Sequence, residues 1–213
     1  MNNLFIYSNL DNLDASFVAI RKNASTSIAA ALYKHKYNLD YNSADFPSDP
    51  NHTDIFSYTY EPATLNDYKF ICIRDPFEKL VSGFIHKIIQ HPYVEGKAYF
   101  EYNPEYINYV DDIPKSFDMF LSFLEQSDIN SVDIHFVPQT LSGRFDSTIY
   151  NKILRTNNLF KDWKSLQNDI NLPDLSINHI HWSGSIRYLD LLKSRFYDRA
   201  KILYAEDFDL YNK

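Results

Sequence analysis

Two short stretches of this chain place basic and hydroxyl side chains where an apolar run gives way to a helix-favouring one. The first is Arg21-Lys22-Asn23-Ala24-Ser25-Thr26-Ser27, lying between Phe17–Ile20 and Ile28–Leu32. The second is Arg74-Asp75-Pro76, which follows Tyr68–Ile73, with Ser82 about two helical turns beyond Arg74. At the first, backbone N–H groups, three hydroxyls and an ammonium converge on one helix start, which suits a phosphate or sulfate. At the second, Arg74 offers a planar fork matched to a phosphate. The chemistry is that of a small anion. Glycine narrows it further, because only Gly83, Gly96, Gly143 and Gly184 are present. They form neither a G-x-G-x-x-G dinucleotide turn nor a G-x-x-x-x-G-K-[ST] loop, so any phosphate-bearing ligand must be held by a loop without glycine.

Elements must position these groups. Phe17-Val18-Ala19-Ile20 reads as a short buried strand and Ile28-Ala29-Ala30-Ala31-Leu32 as the body of an alanine-rich helix. Strand, polar turn, helix leaves unsatisfied N–H groups and a positive dipole end at the turn. Tyr68–Ile73 reads as a second buried strand. Asp75 is a good N-cap and Pro76 suits the first helical position. Apolar residues at 77, 80, 81, 84, 85, 88 and 89 predict a helix over about 76–91, with Glu78 and Lys79 on a solvated face.

Residues 38–53 are turn formers and read as a long surface loop, and 92–115 as an irregular insertion. Ser116 is expected to cap a short helix carrying Phe117, Phe120, Leu121 and Leu124. Phe145–Tyr150 reads as a strand, and Thr156 as the start of a helix burying Leu159, Phe160, Trp163 and Leu166. A loop over 171–184 precedes a helix from Ser185 to about Asp198, and Lys201–Tyr204 reads as a last strand. Strands alternating with helices imply an α/β fold, one domain over 1–213 with a mostly parallel sheet flanked by helices.

Composition excludes several classes. At 45% hydrophobic and 23% charged residues the chain is ordinary for a globular protein. Its net charge of -7 argues against a sequence-independent grip on nucleic acid or an anionic membrane, so no nucleic-acid partner is expected. The single cysteine, Cys72, excludes an intrachain disulfide and a cysteine-based zinc site. No carboxylate cluster suggests a metal. There is no basic segment followed by an apolar run at the start, and no apolar stretch of about 18 residues. The expectation is a cytoplasmic protein with no transmembrane segment.

The two stretches resemble motifs of the 3′-phosphoadenosine-5′-phosphosulfate (PAPS)-dependent carbohydrate sulfotransferases, the group of chondroitin, HNK-1 and heparan 2-O sulfotransferases. FVAIRKNASTSI at 17–28 is similar to the family's 5′-phosphosulfate loop, with Arg21 where proline is usual. IRDPFEKLVSGF at 73–84 matches its R-[DE]-P-[FL]-x-[RK]-L-x-S motif for the 3′-phosphate nearly residue for residue. His135-Phe136-Val137-Pro138-Gln139 resembles a later H-W-x-P-Q segment, and LYAEDFDLY at 203–211 a Y-x-x-D-F-x-L-F ending. These matches run through the chain in the family's order.

The resemblance implies a P-loop-like nucleotide-binding sulfotransferase fold, PAPS as sulfate donor with PAP as product, and a carbohydrate or glycolipid acceptor. It implies that Arg21, Lys22, Asn23, Ala24, Ser25, Thr26 and Ser27 form the phosphosulfate loop and that Arg74 and Ser82 take the 3′-phosphate. Lys22 is then the catalytic cation, because the leaving 5′-phosphate gains charge as the bond to sulfur breaks. Histidine is the natural base for the acceptor's proton. His52, before the second strand, resembles the catalytic histidine of heparan 2-O members. His135 is the second candidate, and His179 with His181 a third. Tyr99–Tyr109 either lines a sugar groove or is packed surface. Two other functions fit less of the sequence: a small P-loop-like kinase using ATP and magnesium, and a PAP-binding module without turnover. The missing G-K-[ST] loop counts against the kinase.

Overall fold

Five strands carry the fold: β1 (Phe5–Leu10), β2 (Ala15–Val18), β3 (Ser57–Thr59), β4 (Tyr68–Ile73) and β5 (Lys152–Arg155). The computed structural model describes residues 5–40, 57–90, 93–94, 97–98, 111–177 and 184–213. The strands form one sheet in the order β3-β1-β2-β4-β5. β2 and β4 run parallel, with Phe17 opposite Phe70 and Val18 opposite Ile71. The Phe17 and Phe70 rings stack with centroids 5.2 Å apart, a cross-strand pair that fixes this register. β4 is also parallel to β5, Ile73 facing Arg155. β1 pairs antiparallel with both β2 and β3, so the sheet is mixed. β2 and the second half of β4 are buried throughout, which explains their near-continuous apolar sequences.

Among the described residues the α-helices are α1 (Ser25–Tyr37), α2 (Pro76–Phe84), α3 (Ile113–Gln126), α4 (Gln139–Ser142), α5 (Leu159–Asp169), α6 (Ile186–Leu203) and α7 (Ala205–Tyr211). The chain forms two compact units. Asn3–Arg74 with Gln139–His181 contains the sheet, α1, α4 and α5, and α5 packs on β5. Asp75–Pro138 with Trp182–Lys213 is mainly helical, with one short antiparallel pairing of Tyr93–Val94 and Lys97–Ala98, and α2 packs against α6. Its core is built from rings: Phe84 meets Phe117 edge-on at 5.0 Å, and Phe120 meets Phe136 edge-on at 4.7 Å. No helix among the described residues is long and apolar enough to cross a membrane.

The α/β fold is as expected; several elements are not. β1 and β3 add antiparallel strands to those read from the sequence. The expected strand at Phe145–Tyr150 is a series of turns, and the strand follows it at Lys152–Arg155. Its apolar residues serve a local contact instead: the Phe145 and Tyr150 rings lie 5.0 Å apart, and the Tyr150 hydroxyl donates to the Gly143 carbonyl. The expected strand at Lys201–Tyr204 continues α6, whose buried residues Leu192, Phe196 and Ala200 repeat at helical spacing. α3 starts at Ile113, capped by Asp112, which accepts from the Lys115 N–H at 3.1 Å, rather than at Ser116. Phe160 is 60% exposed; α5 buries Leu159, Trp163 and Leu166 without it. Helix runs to Gln90 as expected, but residues 85–90 are π-helical.

Candidate functional site

In the unit that contains the sheet, β2 and β4 are parallel neighbours, so residues 19–24 and Arg74 emerge at the same, carboxyl end of the strands. Lys22 and Ala24 both adopt left-handed backbone, with φ of 69° and 57°. For L-residues that costs roughly 1–2 kcal/mol each, so the turn must be held from outside itself. Asn23 does this. It is 1% exposed, its N–H donates to the Ile20 carbonyl at 3.2 Å, and its amide donates to the Cys72 carbonyl at 3.1 Å and to Gln139 Oε1.

This turn delivers the chain into α1 with Ala24 as N-cap, a residue with no side-chain acceptor, and no acidic residue lies in the first turn. Ser25 and Ser27 are buried there and Thr26 half-buried. A helix start with neither a side-chain cap nor an acid leaves its positive dipole end to another anion. Among the described residues, Arg21 Nε and Asn23 Oδ1 are buried without a hydrogen-bond partner, so the fold has not absorbed them. Arg74 stands beside this turn, its Nη1 donating to the Lys22 carbonyl at 3.3 Å. Its own peptide is gripped by Gln139, as Oε1 accepts from the Arg74 N–H at 2.9 Å and Nε2 donates to the Arg74 carbonyl at 2.8 Å. Cys72, just behind, is no nucleophile, since burial pushes its thiol far up.

In the helical unit, Asp75 caps α2 by accepting from the Glu78 N–H at 3.0 Å, with Pro76 in the first turn, as the sequence implies. Ser82 is buried on this helix at 4% exposure. Lys79 corrects the reading of a solvated face: it is 2% exposed, and its ammonium donates to the Val137 carbonyl at 2.8 Å and the His135 carbonyl at 3.1 Å. Burial pulls its pKa down to about 8, against the opposing pull of Asp207 and Asp133. Gly83 is required here, because a Cβ would come within 2.7 Å of the Phe136 ring.

His135 is largely buried and pairs through Nδ1 with Asp133 Oδ1 at 2.6 Å. Burial raises the Asp133 carboxyl, but the hydrogen bond and charge of His135 outweigh it and hold the carboxyl below its usual range. Asp133 therefore stays ionised and Nδ1 is the donor. The Tyr204 hydroxyl donates to the Phe136 carbonyl at 2.7 Å and secures the same segment.

Within the sheet unit the structure brings together Arg21–Ser27 and Arg74; Ser82 and His135 belong to the helical unit. His52, His179, His181 and Tyr99–Tyr109 lie outside the described residues. Gln139, Asp133 and Lys79 are the residues sequence reasoning missed. Gln139 closes the H-x-x-P-Q segment, which was the available signal.

A family model described as "Sulfotransferase family" matches residues 11–213. No curated protein and no solved structure matches the chain.

Proposed function

The chain belongs to the sulfotransferase family, and from that premise we propose that it moves a sulfuryl group from PAPS to a hydroxyl of a carbohydrate or glycoconjugate. The observation that supports this reading is the uncapped start of α1, with Arg74 hydrogen-bonded to the Lys22 carbonyl beside it. PAPS supplies an activated sulfuryl group: the S–O bond to its 5′-phosphate breaks as a new S–O bond forms to the acceptor oxygen, whose proton passes to a base.

The N–H groups and hydroxyls of Ser25, Thr26 and Ser27 hold the phosphosulfate, and the unsatisfied Arg21 Nε suits the same anion. Lys22 meets the charge that grows on the leaving oxygen. Arg74 binds the 3′-phosphate through its planar fork, and the motif adds Ser82. The base is His52 or His135. In His135, Asp133 keeps the proton on Nδ1, which leaves Nε2 as the atom that takes up a proton.

The test is a mass-spectrometric screen of sugars, glycolipids and nucleotide-linked sugars with PAPS. Gain of one sulfate by an acceptor, lost in Lys22→Ala, is the expected result. PAP binding with no acceptor sulfated would leave a binding module, and no PAP binding at all would end the reading.

A further inference from the structure

We propose that Gln139 is a positioning residue that sets Arg74 for the 3′-phosphate and locks it to the Lys22 turn. This rests on the sulfotransferase reading above. Arg74 lies one residue past the end of β4, where the ladder to β5 has stopped at Ile73 opposite Arg155. A peptide at that point needs new partners for both its N–H and its carbonyl. The Gln139 side chain supplies both at once: Oε1 for the Arg74 N–H at 2.9 Å and Nε2 for the Arg74 carbonyl at 2.8 Å. A primary amide has the same donor and acceptor edge as a peptide, so it acts as one more rung of the sheet, built from a side chain.

The same Oε1 accepts from Asn23 Nδ2, which also donates to the Cys72 carbonyl. One fully buried amide thus holds the peptide that carries Arg74 and the side chain that pins the left-handed turn. Arg74 Nη1 on the Lys22 carbonyl closes the circuit. A residue that only stabilised the fold could brace any strand end. Gln139 braces the one that carries the guanidinium, so its loss should displace that group. A small misplacement of a binding group costs on the order of tenfold or more. What should fall is the preference for a 3′-phosphate, beyond any general loss of affinity.

The experiment is calorimetry of the whole chain with PAP and with adenosine 5′-phosphate, which lacks the 3′-phosphate. The proteins are wild type, Gln139→Met and Gln139→Glu. Wild type should prefer PAP, and Gln139→Met should lower that preference about tenfold. Gln139→Glu keeps the shared acceptor oxygen but sets a carboxylate oxygen against the Arg74 carbonyl, so its preference should fall as well. It also supplies the reading if Gln139→Met does not fold. A variant that melts at lower temperature but keeps the wild-type preference would make Gln139 a fold residue and overturn the proposal. Wild type with no preference for PAP would instead overturn the sulfotransferase reading itself.

Discussion

The β2–α1 and β4–α2 turns follow the same sequence plan, an apolar strand, a basic residue and a helix, yet they end their helices in opposite ways. α2 is closed by its own residues: Asp75 accepts from the Glu78 N–H, Pro76 opens the helix and Glu78 adds a negative charge to the first turn. α1 has Ala24 in left-handed backbone at its N-cap and no acid in its first turn. Lys22 shares that backbone, whereas Arg74 and Asp75 have no positive φ. A capped helix start has spent its N–H groups on itself and offers a ligand only side chains such as Arg74. A strained start without a side-chain cap or an acid leaves its dipole end to an anion. On the proposed reading, one turn contributes backbone and cation, the other a single guanidinium whose peptide Gln139 holds.

Substitutions can break or sharpen that contrast. The largest effect should come from Lys22→Ala. If Lys22 meets the charge on the leaving oxygen as proposed, its loss should lower kcat by roughly 10²–10³-fold with a smaller change in KM for PAPS. A kcat within about threefold of wild type, under roughly 0.7 kcal/mol of barrier, would reduce Lys22 to a binding residue. Next is Arg74→Ala. Loss of a charged hydrogen-bonded pair should weaken PAP about 10- to 150-fold while leaving adenosine 5′-phosphosulfate nearly unchanged. Equal losses for both ligands in calorimetry would detach Arg74 from the 3′-phosphate.

Ala24→Asp makes the first helix start resemble the second by adding an acid where the anion belongs. PAPS affinity should fall roughly tenfold, and an unchanged affinity would place the anion elsewhere. Asp75→Ala, by contrast, should cost about 1 kcal/mol of stability in urea melts and leave PAP affinity alone.

The smallest effect is in pH. Lys79 has its folded pKa at about 8 against an ordinary 10.5, so above pH 8 the unfolded chain binds more protons than the folded one and stability rises with pH. The buried Cys72 thiol, raised from 9.0, works in the opposite direction as its unfolded form ionises. Between pH 8 and 9 the net gain should be about half a kcal/mol. A falling urea midpoint over that interval would show that Lys79 is not buried as a charge.

What the sequence disclosed is what local chemistry encodes. The starts of α1 and α2 were readable because apolar strand, turn and cap lie within a few residues of one another. The roles of Gln139 and Asn23 were not, since Gln139 holds a peptide 65 residues away in the chain and Asn23 reaches 49 residues to Cys72. Lys79 was misplaced because helical periodicity marks it as polar, while only the packed structure supplies the two carbonyls that let an ammonium be buried. Lys201–Tyr204 shows the same limit. A short apolar run carries no length signal, and the long buried face of α6 decided it.

The central claim is that the Lys22 turn and Arg74 form a magnesium-independent site for PAP and PAPS. Calorimetric titration without magnesium, comparing PAP, adenosine 5′-phosphate and ATP with added magnesium, tests it most directly. The account expects PAP to bind at least about tenfold more tightly than adenosine 5′-phosphate, as one charged hydrogen-bonded pair implies. Tight binding of ATP with magnesium, together with no binding of PAP, would contradict it.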